Sequence, residues 1–423
     1  MRRTVLIGST TTLLVAGTFA PTALAGSEPH GCSPTEGNRP VCSVGAAADH
    51  ATFLDPTATV EGARYTTLGE QTYVGPFAEL LASEQAPITV GEASNVQDNV
   101  TVDARGGTGI EVGDRVILAH GSSVLGSASV GTEERELPAE VLAAGVDVGA
   151  GSVFLSFGAQ VDGATIERNS GVSALARVAP GVTLPSGLLV LPGKDVTTDV
   201  EASDPELGEV RFINQGDVDF NEAVIHVNES LAREYTELYR EDPTAVTGAN
   251  VDPGGSDFNP DRDLPSFAGE EQARPGFRNR VIGDVEIADR FPRFAERTGE
   301  RIAIRADEGE PFVVGHVHGM GDDVTFHALE GTDLRVGDDV RYGDGAIVHG
   351  GGRVVVAGQP EAQTVVGDRV RLGDDVVVFR STIGDGAVIG DHSAVVGTDL
   401  PADAVVPPHT IVLDGEVFGT VEW

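Results

Sequence analysis

At 423 residues the chain is long enough for two or three domains, and its 66 Asp and Glu against 28 Lys and Arg give a formal net charge of -38. Nucleic acid and anionic membrane surfaces would repel such a chain, which excludes both as partners. Aromatic residues make up only 5% and the sole lysine is Lys194. This acidity suits either a surface kept hydrated at high salt or an ordinary acidic secreted protein.

Residues 1–25 read as a signal peptide. Arg2 and Arg3 form a basic start, residues 5–19 are apolar and Thr-rich, and Ala23-Leu24-Ala25 offers a small-residue cleavage site before Gly26. The stretch is too short, and too soon interrupted by Pro21, for a membrane span. The paired arginines ahead of Thr4-Val5-Leu6 resemble a twin-arginine export signal. With no other long apolar run, the mature chain is expected outside the cytoplasm (extracellular, cell-surface or periplasmic) without membrane insertion. Residues 26–49 form an N-terminal arm, in which Cys32 and Cys42 are expected to close a small disulfide loop rather than bind metal.

From there a period of six residues dominates. Apolar residues recur at Val90, Val96 and Val102, and again at Val112, Leu118, Val124 and Val130. They return at Val314, Met320 and Phe326, and at Val336, Tyr342, Val348 and Val354, with Gly often following. Neither a helix nor plain alternation has this period. It fits short strands joined by tight corners, one apolar residue per strand pointing inward, stacked into a thin core that needs few aromatics. Adding 224 to a position in the first half gives its counterpart in the second, a tandem duplication. The expected domains are a first β half with its helix at 50–242, an acidic Gly/Pro/Asp-rich linker at 243–275 and a second β half at 276–423. Within the first, residues 221–242 carry Val224, Val227, Leu231, Tyr235 and Leu238 on one helical stripe, which predicts a helix packed on the side of the β structure.

The hexapeptide pattern resembles the family whose fold is a left-handed triangular parallel β-helix, so the expected fold class is mainly β, two such halves in tandem. More specific motifs lie on top of it. Residues 304–330, IRADEGEPFVVGHVHGMGDDVTFHALE, are similar at both ends to the signature of γ-class carbonic anhydrases. The first half carries the middle of that signature in Ser94-Asn95-Val96-Gln97-Asp98 and in Leu118-Ala119-His120-Gly121.

The resemblance implies reversible hydration of CO2 to bicarbonate with water activated by zinc, or by iron as the alternative metal. It also implies trimer-like self-assembly, with three histidines per metal shared across an interface. Here each half lacks part of that set, and the losses are complementary. The second half keeps His327 and His349 but has Asp344 at the third position; the first half keeps His120 but has Asp103 and Leu125. One contact between unlike halves would therefore carry all three ligands, a three-histidine set with an open fourth position.

The same resemblance assigns Asn95 and Gln97 to orienting water and substrate and Glu330 to proton transfer. Asn228 falls at a helix-borne position near the metal, and Arg305 and Asp307 at the interface salt bridge. Glu84 and Glu308 both match the catalytic glutamate, and Glu84 is favoured because Gln97 lies in its own half. Two other classes stand beside this reading: a non-catalytic β-helix scaffold left by a decayed duplication, and a hexapeptide acyltransferase. The second is disfavoured because acyl carriers are lacking outside the cytoplasm.

Overall fold

The computed structural model describes residues 31–32, 50–253, 262–308, 311–351 and 364–423. The signal-peptide expectation and Cys42, hence the proposed disulfide to Cys32, lie outside the described residues.

Each half is a left-handed β-helix of three mainly parallel sheets in which successive coils stack short strands in register, one sheet of the second half having five strands against nine and eight in the others. The apolar residues of the six-residue period stack in register from coil to coil. In the first half one such column runs Val60, Leu80, Val102, Val124, Val161, Val178 and Val196. In the second half its equivalent runs Val281, Ile304, Phe326, Val348, Val378, Val395 and Val412. Each column is buried throughout, and the two halves keep separate apolar cores.

The corners explain the recurrent Gly-Asp pair. Asp344 Oδ1 accepts from the Asp322 backbone N–H at 2.9 Å, Asp374 Oδ1 from Asp344 N–H at 3.0 Å, and Asp391 Oδ1 from Asp374 N–H at 3.1 Å. Each carboxylate lies on the Cα of the glycine one coil earlier, where a side chain would collide with it.

The helix between the halves spans Gln215–Glu241, starting six residues earlier than the apolar stripe suggests. Asn214 and Asp217 form a capping box at its N-terminus, and this polar pair, not the apolar stripe, sets its start. Tyr235 stacks on Phe53 (5.0 Å) and Tyr73 (5.9 Å), while Val224 and Ile225 pack with Ile347 and Val377 of the second half. The helix thus lies along the seam between the halves and not on the first half alone.

The expected linker at 243–275 needs correction. Ala249–Asn250 pairs in parallel with Val281–Ile282, and Ser266–Phe267 with Glu286–Ile287, so parts of it build the opening coil of the second β-helix. Short strands amid Gly, Pro and Asp hide such a coil in the sequence. At the other end, Glu416–Thr420 turns back antiparallel on Thr410–Leu413 and covers the last coil.

Gly343→Ala should lower stability by about 1–3 kcal/mol, because the new methyl would meet the Gly373 backbone and the Asp374 carboxylate. Gly319→Ala, with nothing within 4 Å of its added methyl, is the control and should leave the thermal melting midpoint nearly unchanged.

Candidate metal centre

His120 follows the strand Val116–Leu118 at a corner that Gly121 turns with φ 69°. Its ring lies between the previous coil's Asp98 and the next coil's Phe157, stacked parallel to Phe157 at 5.9 Å. His327 and His349 stand opposite each other on adjacent parallel strands of the second half, Thr325–Ala328 and Ile347–Gly350. The inward side chains of these strands, Phe326 and Val348, fill the core, so the histidines that follow them turn outward, toward the first half.

The three imidazoles meet within one chain. Ring centroids are 4.9 Å apart for His120–His327, 5.3 Å for His120–His349 and 5.2 Å for His327–His349. One nitrogen from each lies within 4.8 Å of the others, and all three residues are buried. This set can hold a metal ion, and so can Asp307, Glu308 and His327, which share His327 with it.

The outward-facing nitrogens test the fit. His349 Nδ1 donates to the Gly350 carbonyl at 2.6 Å, leaving Nε2 as its free lone pair. His327 Nε2 lies 3.2 Å from both Asp307 Oδ1 and Glu308 Oε1. His120 Nδ1 lies 3.7 Å from Asp98 Oδ2. A hydrogen-bonded oxygen behind the imidazole, as His327 and His349 have, is how metal-bound histidines are oriented and made more basic; His120 Nδ1 has no hydrogen-bond partner, and Asp98 is its nearest carboxylate. On the inner side, His120 Nε2 and His327 Nδ1 approach to 3.1 Å, the distance of a shared proton. The residues present fit a three-histidine metal site.

The electrostatics agree. Burial pushes His120 and His349 well below the ordinary imidazole value, and the charge on His327 pushes them further, so both are neutral. Burial also acts to lower His327, as does Arg305, but Glu308 and the hydrogen bonds to Asp307 and Glu308 outweigh them and raise it to about 9. Asp307 stays ionised despite burial, through Arg305, His327 and the Tyr235 hydroxyl that donates to it.

A small cavity of ≈ 10 Å³ adjoins His327 and His349, walled by Gln97, Asn228, Glu308 and the apolar Phe154, Phe157, Phe220 and Leu329. Asn228 sits on the long helix, its Nδ2 donating to the Val224 carbonyl at 2.8 Å. Asn95 does not line this cavity; it lies buried between Tyr73 and Ile117 in its sheet, its amide nitrogen and oxygen without hydrogen-bond partners. Glu330 follows the His327 strand and is partly exposed.

Glu84 requires a correction. It is exposed on the turn after Glu79–Leu81, whereas Glu308 is 4% exposed and beside His327. The reason is topological. The strand Ala303–Ala306 pairs with the His327 strand, so the glutamate that follows it comes one coil beneath that imidazole. Glu84 follows the equivalent strand of the first half and stands exposed there. Its supposed companion Gln97 lines the small cavity together with Glu308 instead.

Arg305 donates through Nε to Asp98 Oδ2 across the seam at 2.9 Å and through Nη1 to Asp307. Asp98 and Tyr235 are the partners that sequence reasoning passed over. Asp98 closes the quoted Ser94–Asp98 motif, and Tyr235 stands on the recognised stripe, yet nothing local says that either faces the other half.

No family model matches the chain. Among solved structures, a hexapeptide transferase family protein from Anaplasma phagocytophilum aligns over 44% of this chain and 93% of its own, at 18% identity and a TM-score of 0.26, too weak a superposition to carry an argument. The informative match is to a carbonic anhydrase of Methanosarcina thermophila, 31% identical over 209 residues, covering 45% of this chain and 74% of that protein. With that identity over most of the relative's length, the chain belongs to the γ-class carbonic anhydrase family.

Proposed function

We propose that this chain catalyses the reversible hydration of CO2 to bicarbonate, outside the cytoplasm, at a single zinc ion held by His120, His327 and His349 of the same chain. The observation that carries this reading is the meeting of three buried imidazoles from two halves, neither of which has a complete set. Three imidazole nitrogens with an open fourth position suit zinc, with iron the alternative, once His327 has given up its proton. What the metal supplies when bound is acidification of water to a pKa of about 7.

The chain's own residues do the rest. Phe154, Phe157, Phe220 and Leu329 give CO2, which carries no net charge or dipole, an apolar wall. The Gln97 and Asn228 amides sit on that wall and orient what binds there. Glu308 is the carboxylate that both lines the small cavity and reaches His327, within reach as an acceptor and donor of the transferred proton. Glu330, partly exposed, is the relay to solvent. Export rests on the sequence signals at residues 1–25.

On this reading the three imidazoles come from one chain, so metal binding at this centre needs no second copy. The face of the first half equivalent to the histidine face alternates buried and partly exposed residues, as in Gln160–Asp162, and carries ion pairs such as Arg105–Asp103 and Arg177–Asp195. That is a solvent-facing pattern. The scaffold alternative predicts neither metal nor turnover, so metal analysis and a CO2 hydration assay separate the two.

Purified protein should contain one metal per chain, and His120→Ala should lose both metal and CO2 hydration as completely as His327→Ala; retention of metal by His120→Ala would overturn the shared site. Glu308→Gln should slow hydration about 100-fold with metal retained, whereas Glu84→Gln should stay within about twofold of wild type, as measured by stopped-flow indicator assay.

Because metal-free His327 holds its proton up to about 9, zinc entry must expel that proton. Affinity should therefore strengthen as pH rises from neutrality and level off above about 9. Calorimetry in two buffers of different ionisation enthalpy should register proton release at pH 7 and much less at high pH.

A further inference from the structure

Behind the metal centre, between the two β-helices and the first turns of the long helix, lies a larger cavity of ≈ 540 Å³. It shares Phe154, Phe157 and Phe220 with the small cavity at the imidazoles, so these rings form the partition between the two. Two guanidinium groups line it, and they differ in state. Arg211 is fully engaged, donating to Asp217 at 2.7 and 2.8 Å and to the Phe212 carbonyl at 2.9 Å.

Arg380 is not. Half-buried, it packs its guanidinium 4.6 Å over Phe379 and 5.5 Å from the Phe220 ring. Its Nε is buried without a hydrogen-bond partner, and no ion pair among the described residues includes it. Burial pushes its pKa down, and no carboxylate among the described residues restores it. Of the two guanidinium groups lining this cavity, Arg380 is thus the one with no carboxylate among the described residues, Arg211 being held by Asp217.

The position relative to the metal centre is fixed by the sheet. Phe379 pairs with His349 on the adjacent strand, its ring 5.4 Å from the imidazole, and Arg380 is the next residue, at a corner with φ 53°. Imidazole, phenyl and guanidinium thus follow one another outward from the centre into the larger cavity.

We propose that Arg380 makes this cavity a holding site for a small planar monovalent oxyanion, and that bicarbonate is its ligand on the way between the metal centre and solvent. This rests on the reading of the centre as the place where CO2 is hydrated. The chemistry is direct. CO2 crosses an aromatic sleeve without penalty, but bicarbonate carries a charge that such a sleeve disfavours. The guanidinium fork matches two coplanar oxygens, and stacking on Phe379 and Phe220 has already removed much of its water, so pairing requires little further desolvation.

The test uses the metal-loaded full chain. In side-chain amide-proton NMR of the arginine Nε–H groups, with Arg380 identified by its absence in Arg380→Lys, bicarbonate and nitrate should each shift the Arg380 resonance saturably. Arg380→Met should raise the KM for bicarbonate and the inhibition constant for nitrate about tenfold, the loss of one charge-assisted hydrogen-bonded pair, and Arg380→Lys should recover part of it. An unmoved wild-type resonance at saturating bicarbonate would sink the proposal, and so would Arg380→Met with full metal content and unchanged constants. The wild-type titration needs no variant to fold. A shift in a chain with no CO2 hydration would support the anion site while overturning the catalytic reading.

Discussion

Arg305 crosses the seam between the two β-helices almost completely buried, donating to Asp98 of the first half and to Asp307 of its own. A guanidinium taken out of water is tolerated only where its hydrogen bonds are satisfied by well-placed carboxylates. Here two acids supply them, and Tyr235 from the bridging helix donates to Asp307 as well. The arrangement is satisfied at one relative height of the two halves. A slip by one coil would take Asp98 away and leave the buried guanidinium with Asp307 alone. The same two carboxylates then stand behind His120 and His327, Asp98 at 3.7 Å and Asp307 at 3.2 Å. Register between the halves and orientation of the imidazoles are therefore one constraint. A second buried pair, Arg280 with Asp55 at 3.1 Å, repeats the device toward the start of the stack.

Duplication made this possible by allowing the halves to diverge. Two identical β-helices in contact present the same two faces, and each would need a full ligand set only if every face were used. In a single chain one contact is enough. The second half accordingly kept the strand-borne pair, His327 and His349, and the first kept the corner-borne His120. The packing diverged with the histidines. Val377–Phe379 and Ala394–Val396 have apolar residues on both sides because one side meets the core and the other meets the first half. Their first-half counterpart Gln160–Asp162 has an apolar residue only where it meets its own core.

That contrast also marks what could be read from the sequence. The β-helix was legible because its period is set by the coil, a local property repeated many times. The three histidines were legible because their losses are complementary. The preference for Glu84 over Glu308 compared residues within one half, whereas which glutamate comes to lie beside the imidazoles depends on which face is covered, and that glutamate is Glu308. The signal was nonetheless present. Continuous apolar runs through Val376-Val377-Val378-Phe379 and Ala394-Val395-Val396, against the alternation at Gln160-Val161-Asp162, identify the covered face as that of the second half. Its glutamate, Glu308, should then be the buried one. The opening coil at Ala249–Asn250 was hidden for the opposite reason, since two-residue strands between Gly and Pro carry no periodicity to recognise. Arg380 could not be read at all. An arginine without a carboxylate differs from a paired one only through its neighbours in space.

The acidity of the chain has a structural and an electrostatic side, and the two meet at the centre. Part of it is built into the fold, since corner aspartates accept backbone N–H groups from the coil below and cannot be exchanged freely for neutral residues. The field they contribute to acts unequally on the two carbon species. Uncharged CO2 approaches unaffected, whereas bicarbonate is repelled from a molecule with a net charge of -38, although salt shortens the reach of that repulsion. Inside the seam, where screening is weak, an anion needs a local positive charge. His120 and His349 are neutral, and Arg305 is committed to Asp98 and Asp307. Around the two cavities that leaves the guanidinium of Arg380, behind Phe379, as the cation with no carboxylate of its own among the described residues.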